Sequence, residues 1–340
     1  MIIKKNVGIT SYGVSIPSRV IEIAEIEKVQ GKEGCDTGKC LGVISKTVPS
    51  LDEDAITLAT EAAKQALGRF VGKIDDITNL FIGSESHPYA IKPSGTVIKS
   101  ALGLSENMAL ADLEFACKAG TQALQIGFAY LLSGMSKNSL AIGADTAQAK
   151  PGDALEFTAG AGAGAYILGK KNIIAKLLAT TSIATDTPDF WRRAGQSFPK
   201  HAGRFSGQPA YFYHVNTTTK NILKETGLSP SDFSYCIFHT PNSKFPKLMA
   251  KKLGFTQEQL APSLVVEKIG NTYAGAVPLA LSAILDIAKP NQKILVVSYG
   301  SGAGSDAFVF ETTSYLAKYR KNQTRTIANQ IINTTKNILR

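Results

Sequence analysis

Apolar and polar positions alternate with two different periods along the chain, and this pattern predicts an α/β protein. Short apolar runs such as ITNLFIGSES and SYCIFHTPNS end in polar residues, which is typical of buried strands whose last residues pass into a loop. Longer segments between them carry apolar residues at helical spacing. One of these, DEDAITLATEAAKQAL, has carboxylates at its front and predicts a helix with a well-defined start.

The first half of the chain predicts further elements in order. These are a strand in KNVGITSYGVSIP, a short helix from Ile21 to Val29, a glycine-rich loop in GKEGCDTGKCLG, a helix in TVIKSALGL, and strands in SLAIGADT and GAGAGAYILGK. At the other end, the basic tail YLAKYRKNQTRTIANQIINTTKNILR is weakly amphipathic, which favours a solvated or partly frayed terminal helix over a partner contact.

The second half repeats the order of the first. Matched segments lie about 155 residues apart, so we predict an internal duplication with halves at residues 1–169 and 170–340. The IGSES strand pairs with CIFHTPNS, AIGADT pairs with VVSYGSG, and the helix after Cys117 pairs with the helix after Asn271. Strand ends from the two halves are therefore expected to meet at one site.

Cys117 lies at the start of a segment with apolar and small residues at helical spacing, AGTQALQIGFAYLLSG. Unpaired backbone N–H groups and the helix dipole favour an anion there, which predicts a thiol that ionises more easily than usual. An inert core cysteine is the alternative interpretation, because free cysteine is among the most buried residue types.

The composition narrows the function classes. The 340 residues carry a formal net charge of +10, which suits a polyanionic small ligand or an acidic partner protein, while no nucleic-acid reading motif is recognisable. No apolar run reaches a membrane-spanning length, and the N-terminus lacks a signal-peptide pattern. Cys35 and Cys40 share one loop without a second ligand pair, so we expect no metal site and a reducing, cytoplasmic compartment.

Four side chains at matched junctions can point into one pocket. Cys117 can act as a nucleophile that forms a thioester, and Glu85 can act as a base on a carbon acid if apolar walls raise its pKa. His239 can donate a hydrogen bond or a proton to a carbonyl oxygen, and Asn271 can donate to a developing oxyanion.

At this point the chain resembles the thiolase superfamily, and closely the archaeal hydroxymethylglutaryl-CoA synthases. The resemblance rests on GSESHPYAIKPSGT around Glu85, LEFACKAGTQAL around Cys117, EFTAGAGAGAYI, GRFSGQPAYF, HTPNSKFPK around His239, GNTYAGAVPLAL and YGSGAGSDAF. It ends near AKYRKNQ, and the Cys35/Cys40 loop and the tail after Gln323 depart from the family pattern. It implies a thiolase-like layered α-β-α-β-α fold built from two duplicated halves.

The resemblance also implies a mechanism. Cys117 is acetylated by acetyl-CoA, Glu85 removes a proton from the acetyl methyl, and the enolate attacks the ketone of acetoacetyl-CoA. His239 orients and protonates the ketone oxygen, and water releases (S)-3-hydroxy-3-methylglutaryl-CoA for the mevalonate pathway to isoprenoids. Both CoA thioesters are substrates, and no cofactor is implied.

Further positions and partners follow from the same resemblance. Arg204, Ser206 and Lys244 match positions that contact CoA or its pantetheine arm, and Thr158, Asn271 and Ser301 match positions that line the acyl pocket. For Lys244 an ordinary surface lysine is an equally good interpretation. The implied partners are a second copy of the chain, an acetoacetyl-CoA thiolase and a small bridging protein with an OB-fold and a zinc ribbon.

Other functions remain open from sequence. A ketoacyl-acyl-carrier-protein synthase also uses Cys, His and Asn, but its decarboxylative condensation needs no carboxylate such as Glu85. A biosynthetic thiolase would carry a second cysteine in the YGSGAGSDAF turn, which has none. A scaffold subunit of a thiolase complex is the alternative outside enzymes. GAGAG and GSGAG lack the strand–GxGxxG–helix order of a dinucleotide site.

The remaining histidines and Cys236 have bland interpretations. His87 is expected to structure its loop, His201 and His214 to be ordinary polar residues near the substrate entry, and Cys236 to be a core residue.

Overall fold

The computed structural model describes residues 1–146, 149–321, 327, 329–331 and 338–339. The strands are β1 (Gly8–Ser15), β2 (Arg19–Glu22), β3 (Ser45–Val48), β4 (Ile77–Gly83), β5 (Ala109–Leu113), β6 (Asn138–Thr146), β7 (Ala161–Gly169), β8 (Ala175–Thr187), β9 (Phe190–Trp191), β10 (Lys200–His201), β11 (Tyr235–Phe238), β12 (Lys293–Val297), β13 (Gly302–Thr312) and β14 (Ile338–Leu339). The helices are α1 (Ile23–Val29), α2 (Thr37–Leu41), α3 (Ala55–Arg69), α4 (Ser94–Ala101), α5 (Ala119–Ser133), α6 (Phe212–Thr226), α7 (Lys244–Leu253), α8 (Gln257–Leu260), α9 (Val266–Ile269), α10 (Ala276–Ile287) and α11 (Tyr315–Lys321).

Nine strands of the described chain form one mixed sheet in the order β11-β12-β13-β8-β1-β7-β6-β4-β5. Strands β1 and β8 meet at its middle through a short antiparallel contact. From that contact outward, β7, β6 and β4 on one side follow the same sequence of steps as β13, β12 and β11 on the other. This symmetry supports a division into halves at residues 1–169 and 170–340, which we retain as a proposal.

Alternate side chains of the strands enter different cores, and this alternation builds five layers. In β13, Phe308 and Phe310 face a central core that also holds α5 and α10, whereas Ala307 and Val309 face a core formed with α6 and α7. In β4, Phe81 faces the central core, and its neighbours face α3 and α4. The sheet halves therefore enclose α5 and α10 between them, and the other large helices cover the outside.

Helix α3 begins as its sequence predicts. The side chain of Asp54 accepts a hydrogen bond from Thr57 N, and the Thr57 hydroxyl accepts one from Asp54 N, so the two residues form a capping box. Alanines on one face of α3 then let the helix lie close to the sheet.

Three sequence predictions need correction. GKEGCDTGKCLG is not loop throughout, because Thr37–Leu41 forms the short helix α2. The long strand β8 was not predicted. The second half of this strand is rich in threonine and is partly exposed. The described part of the basic tail forms the predicted helix and exposes Lys318 and Lys321, but its other face packs on the core: Leu316 and Tyr319 are buried, and the Tyr319 hydroxyl accepts a hydrogen bond from the Tyr12 backbone N–H. The remaining tail positions, including Gln323, lie outside the described residues.

Candidate active site

The predicted nucleophile lies in a tight turn between β5 and α5. Residues Ala116–Lys118 form a 3-10 turn that leads directly into α5, and Ala116 adopts the left-handed region at φ +42°. The second half repeats this turn before α10 as Tyr273–Gly275, with φ +49° at Tyr273. When the two turns are aligned on Ala116 and Tyr273, Cys117 corresponds to Ala274. The first half therefore has a thiol where the second half has a methyl group.

Cys117 and Glu85 are in direct contact. The thiol Sγ lies 3.8 Å from Glu85 Oε2 and donates to it. Burial and the nearby Asp145 carboxylate raise the pKa of Glu85 well above its ordinary value. A buried carboxylate with a raised pKa is the kind of group that can take a proton from carbon.

The predicted ease of ionisation at Cys117 is wrong for this arrangement. Burial and the carboxylates of Glu85, Asp145 and Asp189 raise the pKa of the Cys117 thiol well above its ordinary value. The helix start is therefore outweighed by the loss of water and by neighbouring negative charge. The thiol is held as a hydrogen-bond donor to the carboxylate that can receive its proton.

Asp145 fixes the loop that carries Glu85. Its Oδ1 accepts hydrogen bonds from Ser84 Oγ at 2.7 Å, Glu85 N at 2.9 Å, Ser86 N at 3.1 Å and Ser86 Oγ at 2.7 Å. Its Oδ2 accepts from Ala274 N at 2.7 Å. Burial raises the pKa of Asp145, and these donors oppose that rise by favouring the carboxylate. Asp145 thus ties the Glu85 loop to the turn before α10.

His239 follows β11 and is buried beside Cys117's cavity. Burial lowers the pKa of His239 to about 3, so the ring is neutral near pH 7. Its Nδ1 is buried without a hydrogen-bond partner, and its backbone oxygen accepts from the Tyr211 hydroxyl at 2.8 Å. A neutral ring fits the predicted orienting role better than the predicted delivery of a proton.

One cavity collects most of the predicted site. Six predicted residues line it: Cys117, Thr158, Ser206, His239, Asn271 and Ser301. Aromatic side chains form much of the remaining wall, among them Phe190, Tyr211, Phe245, Tyr273 and Tyr299. Glu85 is not among the residues of the cavity wall, but it contacts Cys117, which is. The wall therefore combines a nucleophile, small hydroxyl groups and a large apolar surface, which suits an acyl chain with a few polar atoms.

Asn271 is oriented by its own turn. Its Oδ1 accepts a hydrogen bond from Tyr273 N at 3.0 Å, while its backbone N–H donates to Thr158 O at 2.7 Å. Because the side-chain oxygen is engaged, the amide nitrogen is the group left to donate to a ligand oxygen.

Arg204 and Lys244 are not among the residues of the cavity wall. Both are exposed, Arg204 in the turn Gly203–Ser206 and Lys244 as the first residue of α7. Each adjoins a segment that supplies a wall residue, Ser206 in one case and Phe245 in the other. Their predicted contacts with CoA remain predictions.

The sequence interpretation missed several residues that shape the site. Asp189 is buried and accepts hydrogen bonds from the Tyr299 hydroxyl at 2.6 Å and from Gly302 N at 2.8 Å. Asp145 follows a predicted strand at the same sheet edge as Glu85, and that placement was the available signal. Tyr273 and Tyr299 carried no such signal, because aromatic residues beside glycines also occur in ordinary turns.

The other histidines and Cys236 occupy the following places. His87 Nδ1 lies 2.7 Å from Ser94 Oγ and 3.6 Å from Asp112 Oδ2, so the ring links its loop to α4 and β5. His214 Nδ1 lies 2.7 Å from Ala210 O and its Nε2 lies 2.8 Å from Thr185 Oγ1, which links α6 to β8. His201 lies on the cavity wall. Cys236 is buried in the core under α6 and α7.

No group of three or more His, Cys, Asp or Glu side chains is arranged to hold a metal ion in the part of the chain that the structure describes. No helix among the described residues combines the length and apolar character needed to cross a bilayer.

Comparison with known sequences gives two family matches. Residues 3–173 match the family described as hydroxymethylglutaryl-coenzyme A synthase N terminal, and residues 223–312 match the C-terminal domain of 3-oxoacyl-[acyl-carrier-protein] synthase III. The chain is 52% identical over 315 residues to the hydroxymethylglutaryl-CoA synthase of Methanosphaera stadtmanae, covering 93% of this chain and 91% of that one.

Comparison with solved structures gives the fold. A structure of MvaS in complex with 3-hydroxy-3-methylglutaryl coenzyme A superposes with a TM-score of 0.88 at 22% identity, covering 99% of this chain and 90% of that chain. The HMG synthase of the curacin biosynthetic pathway in complex with holo donor-ACP superposes with a TM-score of 0.86 at 23% identity, covering 96% and 84%. The predicted thiolase-like layered α/β fold is therefore confirmed.

Proposed function

Since the chain belongs to the hydroxymethylglutaryl-CoA synthase family, we propose that it condenses acetyl-CoA with acetoacetyl-CoA and water. The products are (S)-3-hydroxy-3-methylglutaryl-CoA and CoA, and the intermediate is an acetyl thioester on Cys117. We assign this step to the mevalonate pathway of isoprenoid synthesis and to the cytoplasm.

One observation carries the proposal, namely the 3.8 Å contact between Cys117 Sγ and Glu85 Oε2 beside a neutral His239. A nucleophile alone would serve many acyl transfers. A buried carboxylate with a raised pKa next to that nucleophile serves a reaction that also removes a proton from carbon. That combination is what a non-decarboxylating condensation requires.

Acetylation begins with the thiol proton. Cys117 Sγ attacks the carbonyl carbon of acetyl-CoA while its proton passes to Glu85, which already accepts a hydrogen bond from the thiol. The bond from the acetyl carbon to the CoA sulfur then breaks, and Glu85 returns the proton to the leaving sulfur. The net products are acetyl-Cys117, free CoA and an ionised Glu85.

Condensation uses the same carboxylate a second time. Glu85 takes one proton from the acetyl methyl, and the resulting enolate carbon forms a bond to the ketone carbon of acetoacetyl-CoA. The neutral His239 ring donates a hydrogen bond to the ketone oxygen, and the proton held by Glu85 completes the hydroxyl. Water then attacks the Cys117 thioester carbon, which releases the free carboxylate and restores the thiol.

A basic segment at the cavity supports CoA as the carrier. Strands β9 and β10 pair next to the cavity, and their segment supplies the wall residues Phe190 and His201. It also carries exposed Arg193, Lys200 and Arg204. Positive charge at the entrance suits the phosphates of CoA, while the aromatic wall suits its pantetheine arm and acyl group.

A second candidate is a condensing enzyme like ketoacyl-acyl-carrier-protein synthase III, favoured by the match of residues 223–312 to that family. The match covers the half that carries His239 and Asn271, which both kinds of enzyme use. The contact between Glu85 and Cys117 argues against it, because a decarboxylating enzyme forms its carbanion without a carboxylate base.

We also propose partners. A homodimer, an acetoacetyl-CoA thiolase and a small OB-fold and zinc-ribbon bridging protein fit the family resemblance, and a related synthase has been solved with a donor-ACP. A scaffold role alone would leave the buried Cys117–Glu85 pair without a use. Size-exclusion chromatography of the chain with and without an acetoacetyl-CoA thiolase and the bridging protein tests these contacts.

The proposed reaction is tested on the intact chain by mass spectrometry. Incubation with acetyl-CoA is expected to add one acetyl group at Cys117, and added acetoacetyl-CoA is expected to discharge it as product. Cys117→Ser is expected to remove both results, because a hydroxyl ionises far less readily than a thiol and is a far weaker nucleophile. Turnover by the serine variant near the parent rate would contradict the covalent route. Discharge by malonyl-ACP but not by acetoacetyl-CoA would favour the second candidate.

A further inference from the structure

Lys118, the residue after Cys117, is buried in an ion pair that the proposed reaction does not use. Its Nζ lies 3.1 Å and 3.0 Å from Asp306 Oδ1 and Oδ2, and 2.6 Å from Gln122 Oε1. The side chains of Lys118 and Asp306 are 3% and 0% exposed. The ammonium group also lies 4.1 Å from the centre of the Phe115 ring. Burying two charges costs free energy, so the pair calls for an explanation.

The carboxylate of Asp306 connects the turn before α5 to the second half of the chain. Besides Lys118 it accepts hydrogen bonds from Thr121 Oγ1 at 2.9 Å and from Ser182 Oγ at 2.7 Å. Thr121 also pairs with Ser298 Oγ at 2.7 Å. One aspartate on β13 therefore holds two residues around the start of α5 and one residue of β8.

Gly300 in the turn after β12 and Gly304 in β13 let this contact form. A Cβ atom on Gly300 would lie 2.5 Å from Phe115 O and 2.9 Å from Lys118 Cγ. A Cβ atom on Gly304 would lie 2.6 Å from Phe115 Cζ and 2.9 Å from Lys118 Cε. The glycine-rich segment GSGAG, residues 300–304, thus forms a surface against which Phe115 and Lys118 pack.

This surface holds the residues on both sides of the Ala116–Cys117 turn. Between Phe115 and Lys118, Ala116 has φ +42°, a conformation that is unfavourable for a residue with a Cβ and persists only where its surroundings hold it. Phe115 and Lys118 are held by the second half, and Cys117 between them meets Glu85. The position of the thiol therefore depends on the contact between the halves.

We propose that Lys118 and Asp306 are a charge-balanced positioning pair, which fixes Cys117 against Glu85 without placing net charge beside the thiol. A lysine suits this place because it satisfies a buried aspartate and cancels its charge, whereas an apolar residue would leave the anion uncompensated. The pair touches neither substrate nor the reacting atoms. The proposal rests on the proposed function in taking Cys117 as nucleophile, but its test reads the thiol directly.

The test is the pH dependence of Cys117 alkylation by iodoacetamide, measured by mass spectrometry of the peptide that contains it because Cys35 and Cys40 are exposed. Lys118→Met leaves the Asp306 anion unbalanced and is expected to raise the pH midpoint by about one unit. Asp306→Asn leaves the Lys118 cation unbalanced and is expected to lower it by about one unit. The double variant is expected to return the midpoint to that of the parent.

Two further variants separate positioning from general stability. Gly304→Ala displaces Phe115 and Lys118 without changing charge, so we expect at least tenfold slower acetylation by acetyl-CoA with the alkylation midpoint unchanged. The matched control replaces another ion pair, Lys247–Glu267 at 2.7 Å, by Met and Gln and is expected to alter neither result.

The proposal is overturned if the two single variants leave the midpoint where it is, even when both lower the thermal midpoint of unfolding. It is also overturned if Gly304→Ala acetylates at the parent rate. If the single variants do not fold, the charge-free double variant decides: acetylation at least tenfold slower supports positioning, and the parent rate refutes it. Failure of the proposed reaction itself would leave the alkylation midpoints as an independent readout.

Discussion

Burial shifts the pKa values of two side chains at this site, Glu85 and His239, in opposite directions. It raises the pKa of Glu85, which becomes a stronger base, and lowers the pKa of His239 to about 3, which keeps that ring neutral. In both cases the dry wall disfavours the charged form. The site thus holds a carboxyl group ready to exchange protons next to a neutral donor, as acid–base work on a thioester requires.

The low pKa of His239 predicts a specific loss of stability in acid. The folded chain keeps the ring neutral, whereas the unfolded chain binds a proton below its ordinary pKa of about 6.5, so stability falls as pH decreases from about 6.5 towards 3. His239→Gln removes this contribution. We expect the stability advantage of the parent over the variant to shrink by about 2 kcal/mol between pH 7 and pH 5.

Urea unfolding of the two proteins at several pH values measures this difference. All other titrating groups are common to both, so their contributions cancel in the comparison. Parallel stability curves for parent and variant would mean that His239 titrates normally in the folded chain.

The sequence singles out the candidate reactive groups but not their environment. Cys117, Glu85 and His239 stand out because their positions at matched junctions are visible in the sequence. The pKa of Cys117 could not be predicted, because it depends on Asp145 and Asp189, which reach the thiol only after the strands have assembled. Burial and these carboxylates raise the pKa of the thiol by more than its position at the start of a helix lowers it.

At the level of elements, the site depends on how closely α5, β6 and the turn before α10 approach each other. A Cβ atom on Gly143 would lie 2.3 Å from Ala274 O and 2.9 Å from Gly120 Cα, and one on Gly120 would lie 2.2 Å from Ala274 O. Only glycine permits this contact at both positions. Ala274 N also donates a hydrogen bond to Asp145, which in turn accepts one from Glu85 N. The packing of these elements therefore also positions Glu85.

Gly143→Ala tests this packing. The added methyl group has no space against backbone atoms, so we expect the free energy of unfolding to fall by roughly 1–3 kcal/mol. Gly68→Ala in α3 is the matched control, because among the described residues no atom outside its own stretch of helix lies within 4 Å of the added Cβ. There a gain of about 0.5–1 kcal/mol is expected from the better helix former. Equal effects of the two substitutions in urea unfolding would show that the close approach carries no strain.

The sequence predicts elements best where hydrophobic periodicity and local signals agree. Helix α3 shows both its apolar stripe and its cap, and it forms as expected. Strand β8 was missed because its inner half is apolar while its outer half is rich in threonine and partly exposed, so no single period runs through it. The tail was misjudged because the partners of Leu316 and Tyr319 lie far away in sequence.

At the level of the whole molecule, the site is assembled from both halves. Glu85 and Cys117 come from the first half, whereas His239, Asn271 and Ser301 come from the second. The turns that precede the two central helices contact each other, and the turn before α10 binds Asp145 through Ala274 N. The two sides of the sheet thus have similar frameworks but differ at single positions, such as Cys117 against Ala274.

The account as a whole depends on Glu85 acting as a carbon base. Glu85→Gln keeps the size of the side chain and an acceptor oxygen for the thiol but removes basicity. Positioned general-base catalysis contributes on the order of 10²–10⁴ in rate, and removal of a proton from a weakly acidic methyl lies at or above the top of that range. The Gln variant is therefore expected to fail in condensation while it still accepts an acetyl group, though more slowly.

The most direct measurement follows both steps on one preparation of Glu85→Gln, with adduct mass for acetylation of Cys117 and product chromatography for condensation. The account predicts an acetyl adduct that persists when acetoacetyl-CoA is added, with almost no 3-hydroxy-3-methylglutaryl-CoA formed. Condensation at the parent rate would contradict it and favour a decarboxylating enzyme. Loss of the adduct together with the product would show that Glu85 is already required for acetylation of Cys117 and would contradict the predicted separation of the two steps.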